Sequence, residues 1–109
     1  GLTPLYREMY NQTIERENLL VAISPGNFTE IKQALEFFSK MINIKLEIKE
    51  QSDIPNHFID GRAGEIKLKD KTLGFIGEIH PKILKNWRIK MPVSIFEINL
   101  ESIFEELIN

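Results

Sequence analysis

The fold of this 109-residue chain is decided by two adjacent segments, RAGEIKLK (residues 62–69) and TLGFIGEI (residues 72–79). Apolar and polar residues alternate in the first segment, and a period of two is typical of a half-buried β-strand. Asp70 and Lys71 separate the segments and can form a two-residue turn. We therefore predict an antiparallel hairpin in the middle of the chain.

Downstream of this hairpin we expect a short helix, a strand and a final helix. His80 and Pro81 end the second arm, and proline suits the first turn of a helix, where its missing N–H costs nothing. His80 is expected to cap this helix or to bond locally. A strand follows at residues 92–100, and Ser102 with Glu105 resembles a capping box for the last helix. Side chains expected to be buried along the short helix are Ile83, Leu84 and Trp87.

Upstream of the hairpin the clearest pattern is a helix that begins after Asn27. Asn27 and Glu30 have the spacing of a capping box, in which each side chain bonds to the backbone of the other residue. The run at residues 19–23 is apolar throughout, as in a central strand covered on both faces. Residues 44–49 alternate and predict a half-buried strand. The helix has a broad apolar face, formed by Phe28, Ile31, Ala34, Leu35, Phe37, Phe38, Met41 and Ile42.

This order of elements predicts an α+β fold, with a mostly antiparallel sheet and helices on one face. No repeat or Pro/Gly/Ser-rich linker divides residues 1–109, so we expect a single domain. A short helical turn is expected at residues 4–10. The longest apolar run, at residues 19–23, is far shorter than the roughly 20 residues that span a bilayer. No signal-peptide pattern is present, and we predict no membrane association.

Composition excludes several kinds of chemistry. The chain has 14 Lys and Arg against 16 Asp and Glu, so it lacks the positive surplus of a general phosphate binder. It has no Cys, which excludes disulfides and a thiol nucleophile and favours an intracellular origin. His57 and His80 lack the spacing of metal ligands. We therefore expect no metal-binding residue here. No other pattern by itself establishes a catalytic or cofactor-binding residue, and the interleaved lysines are expected to form a solvated face.

The hairpin contains the residues of greatest interest. Gly61 and Gly64 flank Arg62, and small residues permit the close approach of another backbone. The planar guanidinium of Arg62 can bind a carboxylate or a phosphate, so a structural ion pair and a ligand contact both stay open. Gly77 in the second arm indicates close packing or a bulge. Glu78 beside it can form an ion pair or act as a general acid or base.

Several segments resemble one known family. FIDGRAGEI (residues 58–66) and LGFIGEIHP (residues 73–81) are similar to the C-terminal part of the β subunit of archaeal and eukaryotic phenylalanyl-tRNA synthetases, as are MPV (residues 91–93) and FEINL (residues 96–100). The resemblance covers about residues 15–109. The specific part of the resemblance is residues 58–100.

The resemblance implies a partial, inactive class II synthetase core: an antiparallel sheet with flanking helices that has lost its active-site signatures. It implies a non-catalytic role beside the α subunit, which binds ATP and Mg and charges tRNA(Phe) in the cytoplasm. The implied partners are that α subunit, the rest of the β subunit and, through the full enzyme, tRNA(Phe). A class II core needs a longer chain, so this piece is expected to expose apolar surface and could associate with itself.

Three hypotheses follow for the function. In the preferred one, seven signature residues shape the hairpin and its docking surface: Gly61, Arg62, Gly64, Gly77, Glu78, His80 and Pro81. In the second, the chain is an enzyme in its own right, with Glu78 and His80 as an acid–base pair. In the third, it is a stand-alone small α+β ligand-binding or regulatory domain, because this order of elements is common to many such domains.

Overall fold

A computed structural model of the chain describes residues 18–50 and 54–108. The order of strands and helices predicted from the sequence is confirmed across these ranges. The helical turn expected at residues 4–10 lies outside them. The elements are β1 (Asn18–Ile23), α1 (Phe28–Ile42), β2 (Glu47–Lys49), β3 (Phe58–Leu68), β4 (Lys71–Ile79), α2 (Pro81–Asn86), β5 (Ser94–Asn99) and α3 (Leu100–Ile108).

The described strands form one five-stranded sheet in the order β1-β5-β4-β3-β2. Every neighbouring pair is antiparallel, which confirms the α+β class and the antiparallel sheet. The predicted hairpin is β3 and β4. Its turn lies at Lys69 and Asp70, one residue earlier than expected, and Lys69 adopts a left-handed conformation with φ 56°.

The centre of the sheet differs from the prediction. The apolar run at residues 19–23 was expected to be a central strand, but β1 is an edge strand of the described sheet and pairs there with β5 alone. The strand beside it, β5, is buried on both faces, through Ile95 on one side and Phe96 and Ile98 on the other. A short apolar run does not distinguish these two positions, because both strands present apolar side chains to both faces.

Helix α1 begins as predicted. The Asn27 side chain accepts from the Glu30 N–H at 2.8 Å, and the Glu30 carboxylate accepts from the Asn27 N–H at 3.2 Å. Ile31 and Leu35 are buried against the sheet. The expectation that Phe37 and Met41 extend the buried face is wrong, because these side chains are 70% and 65% exposed. A helix advances about 100° per residue, so Phe37 projects from the side opposite Leu35.

Helices cover both faces of the sheet, whereas one face was expected. Helices α1 and α3 pack on the face that carries Phe96 and Ile98. Helix α2 packs on the other face, where Leu84 contacts the cluster that contains Ile95. Trp87 lies beyond the end of α2 and is 40% exposed, so its predicted burial is wrong. No helix within the described ranges is long and apolar enough to cross a membrane.

The starts of the two later helices depend on single side chains. The Nδ1 atom of His80 accepts from the Lys82 N–H at 3.1 Å, which confirms that His80 caps α2. The capping box predicted at Ser102 is wrong. Helix α3 begins three residues earlier than a helix capped by Ser102 would, and the Asn99 side chain accepts from the Glu101 N–H at 2.8 Å and from the Ser102 N–H at 3.4 Å. Asn and Ser are equally good N-caps, and here the cap is Asn99, the last residue of β5.

Candidate functional site

The carboxylate of Glu78 joins the hairpin to the first helix. Glu78 is near the end of β4, opposite Ser94 of β5, and its side chain is 12% exposed. One oxygen accepts from the Phe28 N–H at 2.8 Å, and the other accepts from Nη1 of Arg62 at 3.2 Å. The first N–H groups of a helix have no partner within the helix and carry its positive dipole end. Glu78 therefore satisfies one of these groups in α1 and favours the helix electrostatically.

Arg62 supplies the second contact of this carboxylate. Its side chain is 61% exposed, and its pair with Glu78 is the ion pair that the sequence left as one alternative. A guanidinium has five N–H donors, and the contact with Glu78 uses one nitrogen. The exposed part of Arg62 keeps donors that can reach another polypeptide or an anion.

The three signature glycines set the path of the hairpin backbone. Gly61 has φ +81°, a left-handed conformation that strains any other residue. At Gly77 an added Cβ would lie 2.6 Å from the Cβ of Ala63 on the paired strand. At Gly64 it would lie 2.9 Å from the carbonyl oxygen of Lys49 in β2. Close strand packing is thus the reason for the last two glycines.

Glu78 and His80 lie two residues apart but have separate partners. Glu78 bonds to Phe28 and Arg62, while His80 bonds to the backbone of Lys82. Within the described residues no hydrogen bond joins the two side chains, and no group of three His, Asp or Glu residues could hold a metal ion. Pro81 follows as the first residue of α2. Each side chain of the hypothetical acid–base pair thus has an internal structural contact.

Two clefts meet at the pair formed by Arg62 and Glu78. One, of about 720 Å³, lies at the start of α1. The other, of about 620 Å³, lies between the end of the hairpin, helix α2 and residues 88–93. A third cleft, of about 840 Å³, lies between α1 and β2 and contains none of the signature residues. The arrangement thus places an exposed guanidinium between two surface depressions.

Sequence reasoning missed the cations beside the second cleft. Lys85, Arg88 and Lys90 line it, and all three are exposed. The signal was available: KILKNWRIK (residues 82–90) contains four cations and no acid. A count over the whole chain hides such a segment, because acids elsewhere cancel its charge.

Apolar side chains also remain on the surface of two helices. Phe37 and Met41 form a strip on α1, and Phe104, Leu107 and Ile108 are exposed on α3. Clustered exposed apolar side chains commonly mark a protein–protein interface. This agrees with the expected exposure of apolar surface.

Comparison with known proteins gives consistent matches. The family described as the phenylalanyl tRNA synthetase beta chain CLM domain matches residues 9–100. The phenylalanine–tRNA ligase beta subunit of Thermococcus onnurineus is 39% identical over 109 residues, which cover 97% of this chain and 19% of that protein. Its counterpart in Pyrococcus abyssi is 38% identical over 108 residues, or 96% and 19% of the two chains.

A third relative gives a similar result. The beta subunit of Archaeoglobus fulgidus is 38% identical over 82 residues, which cover 75% of this chain and 15% of that protein. The chain spans about a fifth of the length of the first curated relatives that it matches. These matches agree with the resemblance found at residues 58–66 and 73–81.

Proposed function

Because this chain belongs to the family of the phenylalanyl-tRNA synthetase beta chain CLM domain, we propose that it is a non-catalytic structural and interface module of phenylalanine–tRNA ligase. In this role it supports the α subunit, which activates phenylalanine with ATP and Mg and charges tRNA(Phe) in the cytoplasm. Residues 1–109 would form one domain within a partial class II synthetase core. Its partners would be the α subunit, the rest of the β subunit and, through the full enzyme, tRNA(Phe).

The single observation that carries this proposal is the position of Glu78. A general acid or base must reach the proton that it transfers in the substrate. The carboxylate of Glu78 instead accepts from the Phe28 N–H and from Arg62, and it is largely buried. This favours a structural role for the best candidate carboxylate of the hairpin.

A further observation supports the proposal. The exposed apolar side chains of α1 and α3 favour a surface covered by another polypeptide. The same side chains would promote self-association of the isolated chain.

Assembly tests the interface part of the proposal. The full-length β subunit that contains this chain would be co-expressed with the α subunit, with and without the double substitution F37Q/M41Q on the exposed strip of α1. We expect the α subunit to co-purify with the parent and to be lost from the double variant. E36Q, on the exposed side of the same helix, is the matched control. Failure of the parent to retain the α subunit would contradict the proposal.

Phenylalanine-dependent ATP–pyrophosphate exchange tests the non-catalytic part. His80→Asn keeps an N-cap acceptor and removes the imidazole. We expect the assembled enzyme to keep its exchange rate, because the His80 imidazole caps α2 through the Lys82 N–H, a contact that Asn can replace. Loss of a general base costs about 10²- to 10⁴-fold, so a fall of that size would contradict the proposal and favour the acid–base hypothesis.

A further inference from the structure

The cleft between the hairpin end, α2 and residues 88–93, here called the α2 cleft, combines an apolar floor with a cationic rim. Ile59, Leu84, Ile89 and Val93 contribute apolar surface to its lining. Lys85, Arg88 and Lys90 stand around it, and Met91 at its edge is exposed. An apolar floor favours the burial of an apolar side chain, and a cationic rim favours carboxylates beside it.

The cations of this rim have no internal counter-charge in the described part of the chain. Of the seven described ion pairs, six lie away from this cleft and the seventh joins Arg62 to Glu78 in its lining. No described carboxylate lies within 4.0 Å of Lys85, Arg88 or Lys90, nor of Lys82, which precedes them in the sequence. These four residues fall within nine positions that contain no Asp or Glu. In a chain of net charge −2, this is a local surplus that an anionic partner can neutralise.

The backbone places one of these cations in an unusual conformation. Arg88 has φ 56°, and it follows the last residues of α2. Its N–H donates to the Lys85 carbonyl at 3.0 Å, and the Ile89 N–H donates to the Leu84 carbonyl at 2.8 Å. This is the hydrogen-bond pattern of a Schellman motif, in which glycine is the usual residue at the left-handed position. Here an arginine occupies that position and carries its charge to the cleft.

We propose that the α2 cleft binds an acidic segment of the remaining β polypeptide, with one or two apolar side chains flanked by carboxylates. The proposal rests on the proposed function, because it requires the chain to be part of a β subunit. About 620 Å³ is the size of a small-ligand pocket, whereas a separate protein partner buries about 1,600 Å² in a specific complex. A small contact is sufficient when the occupant is covalently tethered, because its effective concentration is high.

The length of the relatives makes such a tethered occupant available. This chain covers 19% of the beta subunits from Thermococcus onnurineus and Pyrococcus abyssi, so most of such a polypeptide lies outside it. RNA is disfavoured as the occupant because phosphates gain nothing from the apolar floor, and non-specific RNA binders use an extended basic groove.

Photo-cross-linking tests the proposal in the full-length β subunit co-expressed with the α subunit. Benzoylphenylalanine would replace Met91, which is at the edge of the cleft, and in a control it would replace Lys45, which is exposed beside β2. After irradiation, mass spectrometry identifies the linked peptide. We expect position 91, and not position 45, to link to a segment of the same β polypeptide that contains Asp or Glu beside apolar residues.

Two charge-reversed proteins check that the rim cations cause this contact. K85E/R88E is expected to lower the cross-linked fraction from position 91 about fivefold, as the loss of two exposed ion pairs predicts. K71E, at the opposite end of β4, changes a charge away from the cleft and should leave the fraction unchanged. Arg88→Gly is expected to lower the fraction without lowering the melting temperature, because glycine suits the left-handed position.

The outcomes separate this proposal from the proposed function. A link only to the α subunit, a link only to RNA, a link to a segment without carboxylates, or no link above the control overturns the α2 cleft assignment. If the α subunit is still retained, the proposed function stands. A β subunit that gives the expected link but does not retain the α subunit supports the cleft assignment and contradicts the proposed function.

Discussion

Replacement of Glu78 should destabilise the fold much more than replacement of its partner Arg62. Glu78→Ala leaves the Phe28 N–H without its acceptor in a partly buried site, and an unsatisfied group of this kind costs about 1–3 kcal/mol. It also removes a negative charge from the start of α1, worth about 0.3–1 kcal/mol. The pair with Arg62 adds little, because that side chain is 61% exposed and exposed ion pairs contribute about 0.2–1 kcal/mol. We therefore expect Glu78→Ala to cost about 1.5–5 kcal/mol in total.

Arg62→Ala removes only the exposed pair and should cost less than about 1 kcal/mol. Glu78→Gln keeps an acceptor for the Phe28 N–H but loses the charge, so its cost should fall between the other two. Thermal unfolding followed by circular dichroism provides the measurement, in which 1 kcal/mol corresponds to about 4 °C for a domain of this size. Equal losses for Glu78→Ala and Arg62→Ala, or a loss below about 0.5 kcal/mol for Glu78→Ala, would refute the assignment of the Phe28 contact as the main interaction.

Two further predictions concern stability and are measured by urea denaturation. Phe38 packs against Phe96 with ring centroids 6.0 Å apart, and Phe38→Ala should cost about 2 kcal/mol, less than the 3–5 kcal/mol of a fully buried Phe. Phe37→Ala, one residue earlier on the exposed side, should change stability by less than about 0.5 kcal/mol, and equal costs would mean that the orientation of α1 is wrong. Ser94 is fully buried and its hydroxyl has no hydrogen-bond partner in the described part of the chain, so Ser94→Ala should be neutral or stabilising; a loss above about 1 kcal/mol would reveal a partner for this hydroxyl.

The elements that could be predicted are those whose sequence signals are local. The alternation at residues 62–69, the capping residues Asn27 and Glu30, and the proline after His80 each act within a few positions, and the structure confirms the elements that they predict. The resemblance to the synthetase β subunit also depended on contiguous segments and is confirmed by the family match over residues 9–100.

The features that could not be predicted depend on distant parts of the chain. The bond between Glu78 and Phe28 joins residues 50 positions apart, and no local pattern specifies it. The edge position of β1 follows from which strands pair, and a short apolar run gives no information about pairing. The left-handed conformation of Arg88 could not be predicted, because glycine is the residue that usually indicates this conformation in a sequence.

The pairing of β1 with β5 has a consequence for synthesis on the ribosome. Asn18 lies opposite Asn99, so the first described strand must wait for the last one before it can pair. Until then its apolar residues and those of α1 have no completed sheet to cover, and a nascent chain in this state is a substrate for chaperones and proteases. A product that terminates before residue 94 lacks the strand between β1 and β4 and divides the described sheet into two unconnected parts. Synthesis of β5 thus decides whether the strands made before it become one continuous sheet.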